Sequence, residues 1–295
     1  IFTSKPEKEI MDFIINMGIN CSKNRKLLNG KEIDIFVEEK QIAIEFNGCK
    51  YHTEWYGGKG RQYHLTKTKM CKDKGIGLIH IFEDEFFGKK EIVFNKIQHI
   101  LGLDTKKEKV YGRKCDIQRI DGETAKMFME KFHIQGGDSS TVHYGAFYDD
   151  KLIAVMSFLR NKGDEWELTR FASDFNYICC GVGGKLFKYF IKEHNPNSVK
   201  SFADRRWTIN ETNNLYIQLG FEFDSYTPPS YTYYKPKVHR YQRFHKFGFR
   251  KKVLLKKHPE ELTPEMTETE MVKKLGYDRI WDCGLIKYIW KKPEE

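Results

Sequence analysis

The chain has 295 residues, with 51 Lys plus Arg against 41 Asp plus Glu and a formal net charge of +10. That length allows two domains that each bury a core, and no apolar run approaches the ~18 residues a membrane-spanning helix needs. Seven cysteines, odd in number and without a CxxC pair, argue against a disulfide frame and a structural zinc site.

From the start of the chain, Ser4-Lys5-Pro6-Glu7 reads as a capping box. It opens a helix whose Ile10, Phe13, Ile14 and Met17 form one apolar stripe. Glu7 lies one turn before Ile10 on that stripe, so it is directed at a sheet. Ile33–Val37 and Ile42–Phe46 alternate at period two around a tight turn at Glu39-Lys40, which registers 37 with 42 and therefore 34 with 45. Asp34 and Glu45 then share a face. Directly opposed Cβ atoms lie roughly 4.5 to 5.5 Å apart, and like charges there destabilise a sheet unless something positive, such as a divalent cation, lies between them. The alternative is a pair of solvent-facing strand acids. Asn47 follows on the same face, with the Phe46 carbonyl free to complete a cation's shell. His52 comes after Gly48, where it can act as general base or as donor to a leaving oxygen. The loop Glu54–Arg61 mixes glycine, aromatic and basic residues. It reads either as a DNA-contacting flap, with Trp55 or Tyr56 as wedge and Arg61 on phosphate, or as a surface loop with one ring tucked inside. A helix over Tyr63–Lys74, a strand over Ile76–Phe82 and a helix over Ile92–Leu101 follow.

Ser4-x-x-Glu7, Gly30 to Asp34, Ile44-Glu45-Phe46-Asn47-Gly48, Tyr51-His52 and Gly75 to Glu83 together resemble the very short patch repair endonuclease group of the PD-(D/E)xK nuclease superfamily. They resemble still more the phage homing endonucleases built on that fold. The resemblance covers residues 1 to about 100 and implies Mg²⁺-dependent phosphodiester hydrolysis, with Mn²⁺ as a substitute. It implies Asp34 and the Phe46 carbonyl as ligands, Glu7 as a helix acid and His52 as the catalytic histidine. Two positions depart from the repair enzymes: Asn47 stands where lysine or histidine is usual, and His64 falls roughly where a further acid is usual. His64 is therefore a second candidate for proton transfer.

Past a charged linker at 104–110 the pattern changes. Val142–Tyr148 and Leu152–Phe158 flank an Asp149-Asp150-Lys151 turn, and Glu165–Phe171 reads as a strand. Gly181-Val182-Gly183-Gly184 opens a helix over Lys185–Glu193, followed by a strand at Val199–Ala203, a helix at Asn213–Leu219 and a strand at 221–223. This order, over roughly 110 to 235, resembles the GNAT acyltransferase fold. In that family a glycine loop turns backbone N–H groups toward the pyrophosphate of acetyl-CoA. Gly181, Gly183 and Gly184 are the corresponding candidates here, but Ile178 stands where Arg or Gln is usual. Because a lone glycine loop is weak evidence, acetyl-CoA is not expected, and the domain reads as a DNA-positioning or structural module. His133 and Asp204-Arg205-Arg206-Trp207 are the polar features expected near its cleft. Arg205 and Arg206 could bind phosphate there, or form a strand-end salt bridge.

From Lys235 to His258 the chain has ten Lys and Arg and no acid, which equals its whole excess of positive charge. Lys246, Arg250, Lys251 and Lys252 are the expected phosphate contacts, interleaved with Tyr241, Phe244, Phe247 and Phe249. Asn47, Trp55 and Arg61 join them as expected DNA contacts in the first domain. A polar helix at Pro264–Leu275 and a terminal hairpin turning near Gly284 complete the chain.

The expected architecture is α/β (α+β): a nuclease core at 1–103, the linker at 104–110, a GNAT-like mixed α/β domain at 111–235, and a basic and helix-hairpin extension at 236–295. The expected activity is a metal-dependent DNA endonuclease of the phage homing type, with Asp34 and Glu45 anchoring Mg²⁺. The rivals are a DNA-modifying acyltransferase acting through the second domain, and a DNA-binding protein with a vestigial nuclease site. Double-stranded DNA is the expected partner, with no membrane. A homodimer on DNA or sequential nicking would be needed to cut both strands. With no signal peptide read at the start, the protein is expected in the cytoplasm, of a host cell if phage-encoded. The chain begins at Ile1 rather than Met, so upstream residues are expected to have been removed or left out.

Overall fold

The computed structural model describes residues 3–104, 106–161, 165–236 and 241–294. Lys237 and Arg240 of the basic stretch lie outside the described residues. The first part of the chain forms α1 (Lys5–Asn16), β1 (Ser22–Leu28), β2 (Lys31–Val37), β3 (Ile42–Asn47), α2 (Tyr63–Lys72), β4 (Gly77–Phe82), α3 (Glu83–Gly88) and α4 (Lys90–Ile100). Next come β5 (Glu108–Tyr111), β6 (Asp116–Arg119), α5 (Gly122–Phe132), β7 (Val142–Tyr148), β8 (Lys151–Arg160), β9 (Trp166–Ser173), β10 (Tyr177–Cys180) and α6 (Val182–His194). The remainder is β11 (Ser198–Asp204), α7 (Leu215–Gln218), β12 (Glu222–Tyr226), β13 (Tyr231–Tyr234), β14 (Arg243–His245), α8 (Lys251–Lys257), α9 (Glu268–Lys274), β15 (Asp278–Trp281) and β16 (Leu285–Lys291). The fold is mixed α/β with several sheets. Among the described residues, no helix is long and apolar enough to cross a membrane.

Two compact units share the chain discontinuously. The first takes Ile1–Lys90, Arg205–Ile209 and Pro228–Gly284; the second takes Glu91–Asp204, Asn210–Thr227 and Leu285–Glu295. These units do not follow the contiguous boundaries expected from sequence. The expected terminal hairpin is absent: β15 pairs with β13 in the first unit, whereas β16 lies between β11 and β12 in the second.

The first unit holds a four-stranded sheet in the order β1-β2-β3-β4. Ser4 caps α1, and its hydroxyl donates to Glu7 Oε1 at 2.7 Å. The hairpin register is the one alternation predicts, Val37 opposite Ile42 and Ile35 opposite Ile44, with Gln41 closing the turn at φ 52°. Parallel β4 then flanks β3 on its other side, so that His80 lies beside Glu45. Strand β1 opens on the polar run Ser22–Lys26 with little alternation, and the sequence pattern did not reveal it. A second sheet, β14-β13-β15, packs its apolar residues with α8 and α9 around Tyr233, Leu254, Met271 and Val272.

Buried ions tie parts of the first unit together. Glu85 accepts from Arg206 and from Arg243, each at 2.9 Å, and Arg243 also reaches Asp84 at 2.7 Å. The Arg243 guanidinium lies 4.1 Å from the Phe82 ring centroid, a cation–π contact in a water-poor place.

The second unit is built on a seven-stranded sheet in the order β12-β16-β11-β9-β8-β7-β6, with α6 supplying Val182, Leu186, Phe187 and Phe190 to its core. Most neighbours are antiparallel. The exception in this sheet is β9 with β11, which are parallel and paired only at Val199 with Trp166, Lys200 with Glu167 and Ser201 with Leu168.

Candidate functional site

The first unit contains a cavity of about 1200 Å³ lined by Glu7, Asp34, Glu45, Phe46, His52 and Lys67, with several lysines and aromatic rings. Strands β2 and β3 bring the two carboxylates together as their register requires. Glu45 Oε1 accepts from the Asp34 N–H at 3.3 Å, and Asp34 Oδ2 accepts from the Phe46 N–H at 2.9 Å. Burial, reinforced by the Asp34 charge, pushes the Glu45 carboxyl up to about 8. Burial likewise raises Asp34 to about 6, against the pull of the Phe46 N–H.

The positive charge this pair needs comes from the protein itself. Lys67 of α2 places its ammonium 2.5 Å from Glu45 Oε2, with both side chains almost wholly buried. Sequence reasoning missed Lys67, which stands among several lysines. The missed signal is spacing, because Lys67 falls three residues after His64 and four before Cys71, on the face of α2 that is buried. Glu7, expected as the helix acid, is paired with Lys23 of β1 at 2.7 Å.

His52 lines the cavity and His64 sits behind it. His52 Nδ1 and His64 Nε2 are 2.8 Å apart, with the rings stacked. Burial holds His52 well below its ordinary value and His64 down to about 3, so both are neutral at pH 7. His64, only 1% exposed, does not line the cavity, and it can act there only by orienting His52. Thr68 and His80 continue the buried array, with Thr68 Oγ1 3.0 Å from His80 Nε2.

Several expected DNA contacts are turned inward. Asn47 is 1% exposed and donates to His80 Nδ1 at 3.2 Å, so it cannot reach a duplex from this position. The Glu54–Arg61 loop is pinned, because the Asp278 carboxylate accepts from the N–H groups of Trp55 and Tyr56. The Trp55 ring packs against the α8–α9 core beneath Lys273 and Arg279, which is the tucked-ring alternative. Arg61 stays exposed over Trp281. Arg205 and Arg206 are buried in the first unit, Arg206 on Glu85, rather than facing a cleft of the second domain. Arg250 and Lys252 are exposed; Lys251 is half-buried, and Lys246 donates to Ser230 Oγ at 2.8 Å.

In the second unit β9 and β11 part company after Leu168 and Ser201, although β9 runs on to Ser173 and β11 to Asp204. Thr169 is an extra residue at the same level, since β8 pairs Ser157 with Arg170 and Phe158 with Leu168. Beside this fork Gly181, at φ 70°, delivers the chain into α6, whose first turn has no side-chain cap. Gly112 lies so close that a Cβ there would come within 2.7 Å of the Gly181 carbonyl oxygen. A Cβ on Gly183 would press on Leu215 at 3.2 Å, whereas one on Gly184 would meet nothing within 4 Å. Tyr216 of α7 hydrogen-bonds to Ser201, the last residue of β11 paired with β9, and Ser201 donates to the Leu168 carbonyl at 2.6 Å. Burial raises the Tyr216 phenol, which therefore keeps its proton at neutral pH.

No protein-family profile matches the chain, and no curated protein matches it. Among solved structures, it is similar to an acetyltransferase from Bacillus subtilis in complex with CoA (TM-score 0.37, 13% identity, 61% of this chain and 100% of that one). It is also similar to the ribosomal-protein-S18-alanine N-acetyltransferase of Escherichia coli (0.34, 12%, 61% and 96%). A third is a GNAT family acetyltransferase from Elizabethkingia anophelis with acetyl-CoA bound (0.32, 13%, 61% and 99%). These are distant likenesses.

These findings correct the main expectation. The similar structures are acetyltransferases, not the Mg²⁺-dependent homing endonucleases expected. Among the described residues no group of three or more His, Cys, Asp or Glu side chains is placed to hold a metal ion, and Lys67 is paired with Glu45, one of the two carboxylates expected to hold Mg²⁺ or Mn²⁺. The exclusion of acetyl-CoA is corrected as well, since two of these three structures carry CoA or acetyl-CoA.

The raised carboxyls give a pH test. Both bind protons more tightly folded than unfolded, so the stability they confer is full below about pH 4 and is lost as pH rises through about 6 and 8. Asp34→Asn removes the repulsion while its amide oxygen can still accept from Phe46. Urea unfolding of the first unit should show the variant more stable than the parent by at least about 1 kcal/mol at pH 8 and equal to it at pH 4. A variant less stable at pH 8 would show that the pair does not repel.

Proposed function

We propose that the second unit is an acyltransferase drawing on an acyl-CoA, and that the protein acts at DNA. The observation that carries this reading is the fork between β9 and β11 beside the uncapped, glycine-rich start of α6. An opened pair of parallel strands leaves main-chain groups of Thr169–Ser173 without a β11 partner, and an extended amide-bearing ligand can pair with them. The first-turn N–H groups of Val182, Gly183 and Gly184 present partial positive charge suited to a pyrophosphate, which can approach because Gly183 and Gly184 carry no side chain and that of Val182 is buried in the core. Bound there, an acyl-CoA supplies an acyl group activated as a thioester.

The chain's own residues supply positioning and a proton. Tyr216, held at the fork by Ser201, is a neutral phenol able to protonate a leaving thiolate, while Ser201 keeps the Leu168 carbonyl engaged where the strands separate. DNA as the partner is supported by the net charge of +10 and by the acid-free run from Lys235 to His258.

Calorimetric titration with acetyl-CoA tests the loop. Gly184→Ala should bind within about 2-fold of the parent, since open space receives the methyl group. Gly184→Glu should bind at least about 10-fold more weakly, because its carboxylate opposes a pyrophosphate while suiting the helix. Failure of the parent chain to bind would end the acyl-CoA reading. Tyr216→Phe should slow acyl transfer on the order of 10²-fold with acetyl-CoA affinity unchanged; a variant as fast as the parent would remove Tyr216 as the acid. For DNA, changing Lys246, Arg250, Lys251 and Lys252 to Ala should lower the magnitude of the log K against log salt slope by about 3 to 4 on duplex, with little change in sequence preference. An unchanged slope would show that these cations face solvent.

A further inference from the structure

The mouth of the first unit's cavity is lined by rings and cations that the acyl-transfer reading leaves unused. Tyr51 is 64% exposed, and Phe87 and Tyr241 are 43% and 36% exposed with their rings 4.3 Å apart at 32°. All three line the cavity. Large rings are normally withdrawn from water, and three around one opening form an apolar, flat-sided rim. Lys50 and Lys90 lie on the same rim, Lys50 within 5.7 Å of the Tyr51 ring centroid and Lys90 bound to Glu9 at 2.7 Å. Deeper in the cavity stands Asp34, an acceptor that takes the Phe46 N–H on Oδ2.

Rings to stack on, ammonium groups at the rim and a carboxyl acceptor inside match the three parts of a nucleotide: its base faces, its phosphates and the N–H donors of its base edge. A fully paired duplex offers neither free base faces nor free Watson–Crick edges. We propose that this cavity receives an unpaired nucleotide of a single-stranded or locally opened nucleic acid, its base stacked at the rim formed by Phe87, Tyr241 and Tyr51 and its edge turned toward Asp34. This inference uses the nucleic-acid part of the proposed function and is independent of acyl transfer.

Fluorescence anisotropy in EDTA, with the full chain and labelled 15-mers, tests it. The probes are single-stranded DNA, the same sequence as RNA, a blunt duplex, and a duplex with one unpaired base. Single strands and the bulged duplex should bind at least about 10-fold more tightly than the blunt duplex, and comparison of the DNA and RNA single strands identifies the source of the nucleotide. Phe87→Ala with Tyr241→Ala, at exposed rings, should lose 5- to 100-fold on the unpaired probes, the range expected for lost base stacking, and under 2-fold on the blunt duplex. Tyr51→Ala, on a different element, should reproduce the selective loss if the paired variant is poorly folded by circular dichroism. Equal affinity for paired and unpaired probes, or ring variants that bind like the parent, would overturn the cavity assignment while leaving duplex binding intact. Absence of binding to every probe would overturn it together with the DNA part of the proposed function.

Discussion

Two acids on neighbouring strands, withdrawn from water, cannot both stay charged without a cation, and Lys67 is the cation that this chain supplies. The whole arrangement around the first unit's cavity follows from that requirement. Helix α2 must lie where its buried face delivers an ammonium to Glu45, and the same face then carries His64 and Thr68 toward His80. Desolvation works in opposite senses on the two kinds of group. It raises the carboxyls and depresses the imidazoles.

The second unit meets a different constraint. A sheet of seven strands is stable when each strand is fully laddered, yet β9 and β11 pair with each other at three positions and then separate. Unpaired main chain in a sheet interior is costly unless something else satisfies it. Part of that demand is met internally, by Ser201 on the Leu168 carbonyl and by Arg170 on the Thr169 carbonyl at 2.8 Å. The rest is the physical argument for a ligand that behaves as a strand.

Much of the local structure was legible in the chain. Period-two alternation placed β2 and β3 and fixed their register, and the Ser4 box opened α1. Turn and glycine signals located β7, β8 and α6 to within a few residues. What escaped was whatever depends on long-range pairing. Strand β1 is too polar to announce itself, and Lys67 looks like any solvated lysine until its face is buried. Arg205 and Arg206 read as a strand-end patch because nothing local says that the chain leaves one unit there and enters the other. The Asp34–Glu45 opposition was read correctly as geometry, but the inference from geometry to metal failed. A like-charge pair states that a positive charge is required, and says nothing of whether an ion or a side chain provides it.

The placement of β16 bears on how the protein is made. This strand is flanked by β11 and β12, both of which leave the ribosome more than fifty residues before it, and without it neither has the neighbour that joins them. The first unit has all of its segments once Gly284 has been synthesised, whereas the second still lacks an interior strand. During that interval β11 and β12 expose open edges next to a large apolar core, the condition under which nascent chains pair wrongly or recruit chaperones. The order of assembly is thus written into the topology: the unit that occupies most of the middle of the chain is the last to close.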